Sequence, residues 1–200
     1  MILAHLRRSI LIALVALVLT FVFALAGTGV SQLFFKHQAD GSIKANGSTL
    51  IGQNWSSPKW FHGRPDDTGP YAANPKANPP APGGDNPLVA NGNSGQSGAS
   101  NLGPRSKALL ANTQQLVTYW HKLGVNPTPD LVTTSGSGYD PDITAADALV
   151  QIPMVSKATG IAPSALRALI ARENRGAQLG FLGSSYINVL QLNEALARLR

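Results

Sequence analysis

Residues 10–26 read ILIALVALVLTFVFALA, a segment that carries no charge and has Thr20 as its one polar side chain. A helix over this stretch spans roughly 25 Å, and the weaker apolar run that follows to Phe35 lengthens it enough to cross a bilayer core. Apolar residues on every face distinguish it from an amphipathic helix that lies on a membrane surface. A buried core helix so long and so free of polar residues is also unusual in a small domain. The sequence therefore predicts a transmembrane helix over residues 10–35.

The fate of this segment after synthesis has two interpretations. Arg7 and Arg8 precede it, and Ala24-Leu25-Ala26 matches the small-x-small cleavage pattern, so a removed signal peptide competes with a retained anchor. The length of the apolar run favours the anchor slightly. Under both interpretations the early positive charge keeps residues 1–9 in the cytoplasm and exports the chain from about residue 36 onward.

The charge content excludes one class of function. The chain has 16 Lys and Arg against 10 Asp and Glu, a formal net charge of +6, and only 13% charged residues. The positive residues form no stripe or cluster with aromatic partners, as nucleic-acid binding requires, so no nucleic-acid partner is expected. There is no cysteine, which excludes disulfides, thiolate metal ligands and cysteine nucleophiles.

The remainder is predicted to be a juxtamembrane linker at 36–46 and a small α+β extracytoplasmic domain at 47–200. Short apolar runs within 47–61, broken by glycine and proline, predict brief strands. Residues 62–103 are rich in Gly, Pro, Asn and Ser and predict a long loop, which is either ordered against a partner or a disordered linker. Strands that precede helices favour α+β over an alternating α/β fold.

The second half of the domain has helical patterns. Pro104 suits a first turn because its missing N–H has no helical partner there, and an amphipathic pattern runs from it to Leu123, just before Gly124. Thr144 with Asp147 three residues on resembles a capping box. The elements predicted beyond it are helices over 144–152, from Pro153 to Gly160 and over 163–174, a short strand over 186–190 and a last helix over 192–199.

The motifs of catalysis and metal binding are missing from the sequence. Residues 98–106 imitate a phosphate-binding loop but place Pro104 where the lysine belongs, and no strand precedes them. Ser135 and Ser137 lie between glycines without the G-x-S-x-G elbow of a nucleophilic serine. The histidines are scattered loop or surface residues without metal-ligand spacing: His5, His37, His62 and His121. An autonomous enzyme is therefore not expected.

Several short motifs occur in a fixed order along nearly the whole chain. They are GSTLIGQN (47–54), FHGRP (61–65), SNLGP (100–104), LVTTSGSGYDPDIT (131–144), QIP (151–153) and VLQLNEAL (189–196). Together they resemble one family, the C subunit of the Kdp potassium-transporting ATPase. Met154 and Thr159 depart from the resemblance, since they stand where the family has arginines, and this predicts a more apolar helix face.

The resemblance implies a non-catalytic accessory subunit, in the cell inner membrane, of a high-affinity ATP-driven potassium uptake complex. Its implied partners are an ATP-hydrolysing subunit, a potassium-binding channel-like subunit and a small fourth subunit. ATP and potassium are handled by the complex, and the chain alone is expected to hold no cofactor. In this family the C subunit stabilises the assembly and acts as a catalytic chaperone that raises the ATP affinity of the ATPase subunit. Since the domain is predicted to lie outside, an alternative is that it caps the channel-like subunit and biases its conformations.

The motifs single out a set of positions as structural residues or subunit contacts. Arg64 is the most suggestive, since its guanidinium can bind a carboxylate of a partner or one within the domain. Trp55 is assigned to the core and Tyr71 to an interface. Glycines expected at positive φ are Gly52, Gly63, Gly103, Gly136 and Gly138. The full set is Gly52, Gln53, Phe61, Gly63, Arg64, Pro65, Tyr71, Asn101, Leu102, Gly103, Ser135, Gly138, Asp140, Pro141, Gln151, Asn188 and Asn193.

Two further classes of function stay open at this point. A secreted binding protein released after Ala26 predicts a mature chain that lacks residues 1–26. A membrane-anchored enzyme predicts hydrolytic activity in the domain itself. Neither accounts for the ordered series of motifs.

Overall fold

The computed structural model describes residues 2–43, 47–53, 55, 57–65 and 100–200. The chain divides into two compact units, one ending at Ser42 and one formed by Ile43–Arg200. Most of the loop predicted at 62–103 lies outside the described residues, and so does Tyr71.

The N-terminal unit is dominated by helix α1, which runs over Ile2–Phe34 and is followed by the short α2 at Lys36–Ala39. By length and composition α1 can cross a membrane, as predicted. It begins earlier than the predicted residue 10, because the turns before the apolar run are also helical. The Thr20 and Thr28 hydroxyls donate to backbone carbonyls one turn earlier in the helix, at 2.8 and 2.9 Å. Both hydroxyls are thus satisfied without water.

The first helix of the C-terminal unit, α3, covers Lys107–Lys122. The Ser106 hydroxyl caps it by accepting a hydrogen bond from the Leu109 N–H at 3.4 Å. It ends before Gly124, which adopts φ +76°, a conformation that suits glycine at a helix end. The predicted amphipathic helix and its end are confirmed, although the helix begins after Pro104 and not at it.

Helix α4 covers Ala145–Thr159 and corrects one prediction. Thr144 and Asp147 form the predicted capping box, and Gly160 ends the helix at φ +76°. The predicted break at Pro153 is wrong, because the helix continues through it. Proline removes one helical hydrogen bond at a cost of about 3 kcal/mol. Burial of Ile152 and its neighbours on the inner face offsets that cost and holds the two halves in line.

The remaining elements are α5 at Pro163–Glu173, α6 at Val189–Ala197 and a small antiparallel sheet. In the sheet, β1 (Asp142–Ile143) pairs with β2 (Ile187–Asn188). The strand predicted over 186–190 is shorter, because Asn188 caps α6 and the helix begins at Val189. The strands expected at 47–61 are also wrong, since the described part of that segment has bends, turns and irregular backbone, with one bridge residue at Gly47 and no strand. The domain is α+β, but with helix α3 ahead of the sheet.

The core of the domain lies between α3, α4, α5, α6 and the segment 55–62. Trp55 is buried there, as predicted. Met154 is also buried, at 4% exposure, so the expectation that it makes a surface more apolar is wrong. The largest fully buried apolar side chains are Trp120, Phe61, Leu131, Leu166, Ile187, Leu192 and Leu196.

Candidate functional site

Two buried amide side chains hold the FHGRP segment against the helices. Asn193 on α6 accepts from the Phe61 N–H and donates to the Phe61 carbonyl, both at 2.9 Å. Gln151 on α4 accepts from the His62 N–H at 2.7 Å and donates to the His62 carbonyl at 3.0 Å. Phe61 and His62 are fully buried and have no strand to pair with, so these amides satisfy backbone groups that would otherwise be unpaired.

Because the segment is fixed at residues 61 and 62, Arg64 extends from it toward the 130–140 loop. Its Nη1 lies 3.6 Å from Asp140 Oδ2, and its Nη2 lies 3.8 Å from Asp130 Oδ1. Nη2 also donates to the carbonyls of Thr133 and Thr134, both at 3.4 Å. Of the two interpretations of Arg64, the structure shows the intradomain one. The Arg64 side chain is 21% exposed, so it also forms part of the surface.

A groove of about 560 Å³ opens beside this cluster. Two serine hydroxyls on its wall stabilise the loop, since Ser135 Oγ accepts from the Gly138 N–H at 3.0 Å and Ser137 Oγ accepts from the Tyr139 N–H at 3.2 Å. Gly138 has φ +71°, as predicted. The groove, called here the motif groove, is lined by Leu50, Ile51, Arg64, Ser135, Gly136, Ser137, Tyr139, Asp140 and Pro141.

The GSTLIGQN motif forms one wall of the motif groove through a close backbone approach at Gly52. The Gly52 N–H donates to the Tyr139 carbonyl at 2.8 Å. A Cβ at this position would lie 2.7 Å from the Asp140 carbonyl oxygen. Gly52 is therefore needed for contact between two backbones, and the predicted positive φ is wrong. It is also wrong at three other glycines, which adopt ordinary φ values: Gly63, Gly103 and Gly136.

Asn188 joins the first motif to the last. Its Nδ2 donates to the Thr49 carbonyl and to Asp142 Oδ1, both at 2.9 Å, while its Oδ1 accepts from the Gln191 N–H at the start of α6. Burial raises the pKa of Asp142 above its ordinary value, and the nearby Asp140 carboxylate adds to this increase. The hydrogen bond from Asn188 and the charge of Arg175 act in the opposite direction.

The other predicted positions lie apart from the motif groove or support it locally. Gln53 donates to the Ser48 carbonyl at 2.6 Å and Pro65 is buried. Asn101, at φ +53°, and Gly103 are exposed, and Leu102 is partly buried. Asp130 was missed by sequence reasoning, because its contact with Arg64 joins loops far apart in the chain and has no local signal.

Among the described residues, no group of three His, Asp or Glu side chains is close enough to hold a metal ion. His62 is a buried loop residue, whose Nε2 lies 3.1 Å from the Ser57 carbonyl and whose ring packs on Trp120. The described polar groups of the motif groove are largely occupied with one another. The walls of the motif groove are therefore held in place by contacts within the domain.

A helix long and apolar enough to cross a membrane, followed by a small α+β domain, is the arrangement of membrane proteins with one appended domain. The family model KdpC, described as K+-transporting ATPase, c chain, matches residues 6–198. The chain belongs to this family, and the resemblance of its motifs is confirmed. The potassium-transporting ATPase KdpC subunits of Methylobacterium nodulans and Bradyrhizobium diazoefficiens are each 39% identical to it, with 98% of both chains covered. The KdpC subunit of Rhodopseudomonas palustris is 40% identical, with 94% of each chain covered.

Proposed function

We propose that this chain is the accessory, non-catalytic subunit of an ATP-driven potassium uptake complex, and that its domain stabilises the assembly of the channel-like and ATP-hydrolysing subunits. The observation that carries the proposal is the meeting of separate family motifs, from 47–54, 61–65 and 131–141, around one groove. Relatives that cover 98% of this chain bear the name of a potassium-transporting ATPase subunit.

The motif groove is the surface proposed to contact the channel-like subunit. Its floor is fixed by the Arg64 cluster, and its rim offers an apolar side chain, Leu50, that is 45% exposed. One guanidinium faces two carboxylates, so the cluster has a formal charge of −1. It therefore suits a partner segment that offers backbone or cationic donors to the cluster and an apolar side chain to Leu50. A rigid site of this kind loses little conformational entropy on binding.

In the proposed orientation α1 spans the cell inner membrane, the N-terminus lies in the cytoplasm and the domain lies on the extracytoplasmic side. Arg7 and Arg8 precede the apolar run, which supports this orientation. The domain then has no access to cytoplasmic ATP. Its effect on the ATP affinity of the ATPase subunit is indirect, through preferential binding to one conformation of the channel-like subunit. ATP and potassium are bound by the other subunits, and the chain alone holds no cofactor.

A change on the rim of the motif groove tests this proposal without altering the core. Leu50→Lys adds length and charge at a position 45% exposed, and Leu110→Lys makes the same change on α3, at a position 61% exposed. Both variants are expected to fold, as judged by tryptophan emission. Leu50→Lys is expected to lose co-purification of the channel-like and ATP-hydrolysing subunits, whereas Leu110→Lys retains it. Equal recovery of the complex with both variants would contradict the proposal.

A further inference from the structure

Between α5 and β2 the chain forms a β-hairpin at residues 175–186. Arg175 and Tyr186 exchange two backbone hydrogen bonds of 2.8 and 2.9 Å at its base. Nearer the tip, Gln178 and Leu182 exchange two more, of 2.9 and 2.8 Å. The hairpin is therefore a hydrogen-bonded projection with a defined tip at residues 179–182.

The tip is apolar and exposed. Leu179 is 83% exposed, Phe181 75% and Leu182 49%, and the first two are the most exposed large apolar side chains among the described residues of the domain. Leu179 adopts φ +53°, a left-handed conformation that costs free energy for any residue with a side chain. Three exposed apolar side chains within four residues, one of them on strained backbone, are typical of an interaction site rather than of ordinary surface.

The charges around the tip favour an anionic surface. Residues 174–186 contain no Asp or Glu, and Arg175 is their one charged residue. Arg172, one helical turn before the hairpin, has a side chain that is 63% exposed, and its Nε donates to Glu173 Oε1 at 3.1 Å. This pair is neutral as a whole, so the net positive charge next to the tip is that of Arg175. Arginine beside exposed Leu and Phe is the composition of segments that bind the interface of anionic bilayers.

We propose that the hairpin tip inserts shallowly into the headgroup region of the membrane that holds α1, next to anionic phospholipids. Only residues 35–42 lie between α1 and the domain, and a stretch of this length reaches roughly 30 Å at most when extended. The anchor thus keeps the domain near a bilayer surface, where a weak contact is sufficient. Three side chains are too few for the roughly 800 Å² per partner of a stable protein interface, which favours lipid as the occupant. The proposal depends on a retained α1 but not on the motif groove.

The test uses the full chain in proteoliposomes of phosphatidylcholine with phosphatidylglycerol. The chain has no cysteine, so Ser184→Cys gives a unique site for an environment-sensitive fluorophore beside an intact tip. Ser164→Cys, exposed at the opposite end of α5, is the matched control. The probe at 184 is expected to shift to the blue and to be quenched by lipids spin-labelled in the acyl chain, while the probe at 164 is not.

Two further variants separate insertion from folding. Phe181→Asp in the Ser184→Cys background is expected to abolish the blue shift and the lipid quenching while tryptophan emission from the domain stays unchanged. Arg172→Gln is expected to lower the ratio of inserted to free hairpin roughly fivefold at low salt. Emission at 184 that equals emission at 164 would overturn the proposal. A blue shift that needs the partner subunits and resists lipid quenching would also overturn it, in favour of a pocket on a protein partner.

Discussion

The Asn193 side chain is expected to account for a large share of the stability of the domain. Asn193→Ala removes the acceptor for the Phe61 N–H and the donor to the Phe61 carbonyl, both in a residue with 0% exposure. Each orphaned buried polar group costs about 1–3 kcal/mol, so the loss is expected to be about 2–6 kcal/mol. A domain with a total stability of about 5–15 kcal/mol would be left marginal by this change.

Urea unfolding of the detergent-solubilised chain measures this loss. All three tryptophans, Trp55, Trp60 and Trp120, belong to the C-terminal unit, so tryptophan emission reports its unfolding and not that of α1. Asn126→Ala is the matched control, because Asn126 is exposed and a surface change of this kind stays within about 0.5 kcal/mol. The reasoning is refuted if Asn193→Ala costs no more free energy of unfolding than Asn126→Ala.

Two more predictions use the same unfolding assay. Gly52→Ala places a Cβ 2.7 Å from the Asp140 carbonyl oxygen and is expected to lower the free energy of unfolding by about 1–3 kcal/mol. Gly103→Ala is the control, because the space around Gly103 is open, and it is expected to be close to neutral. Equal effects of the two changes would refute the close approach at Gly52. Asp142 has a pKa raised above its ordinary 3.8, so the stability associated with its neutral form is fully present below pH 3.8 and is lost as the pH rises through the folded-state value. Asp142→Asn is therefore expected to match the wild-type free energy of unfolding at pH 3 and to exceed it at pH 7, and a gain that is the same at both pH values would contradict this assignment.

Local sequence signals predicted most of the helices, because each rests on residues close together in the chain. The capping box of Thr144 and Asp147 and the glycine after α3 are of this kind. The break expected at Pro153 failed because burial of the helix face outweighs a single lost hydrogen bond. A local rule is decisive only where tertiary packing is weak.

The partners of the candidate site could not be predicted in the same way. Sequence motifs identified Gln151, Asn193 and Arg64 but not what each one contacts. Asn193 and Phe61 are 132 residues apart, and no periodicity links them. For Gly52 the sequence indicated that glycine was required, but the choice between a positive φ and a close backbone approach depends on the 139–140 loop.

The central claim is that the motif groove docks on the channel-like subunit on the extracytoplasmic side of the membrane. Labelling of single cysteines in intact cells by a membrane-impermeant maleimide tests this claim. The variants are Ser137→Cys in the groove, Lys157→Cys at an exposed position of α4 and Arg8→Cys before the apolar run. The account predicts that Lys157→Cys always reacts, that Arg8→Cys reacts only after lysis, and that Ser137→Cys reacts unless the partner subunits are present. Protection of Lys157→Cys until lysis would contradict the orientation, and equal labelling of Ser137→Cys with and without partners would contradict the docking surface.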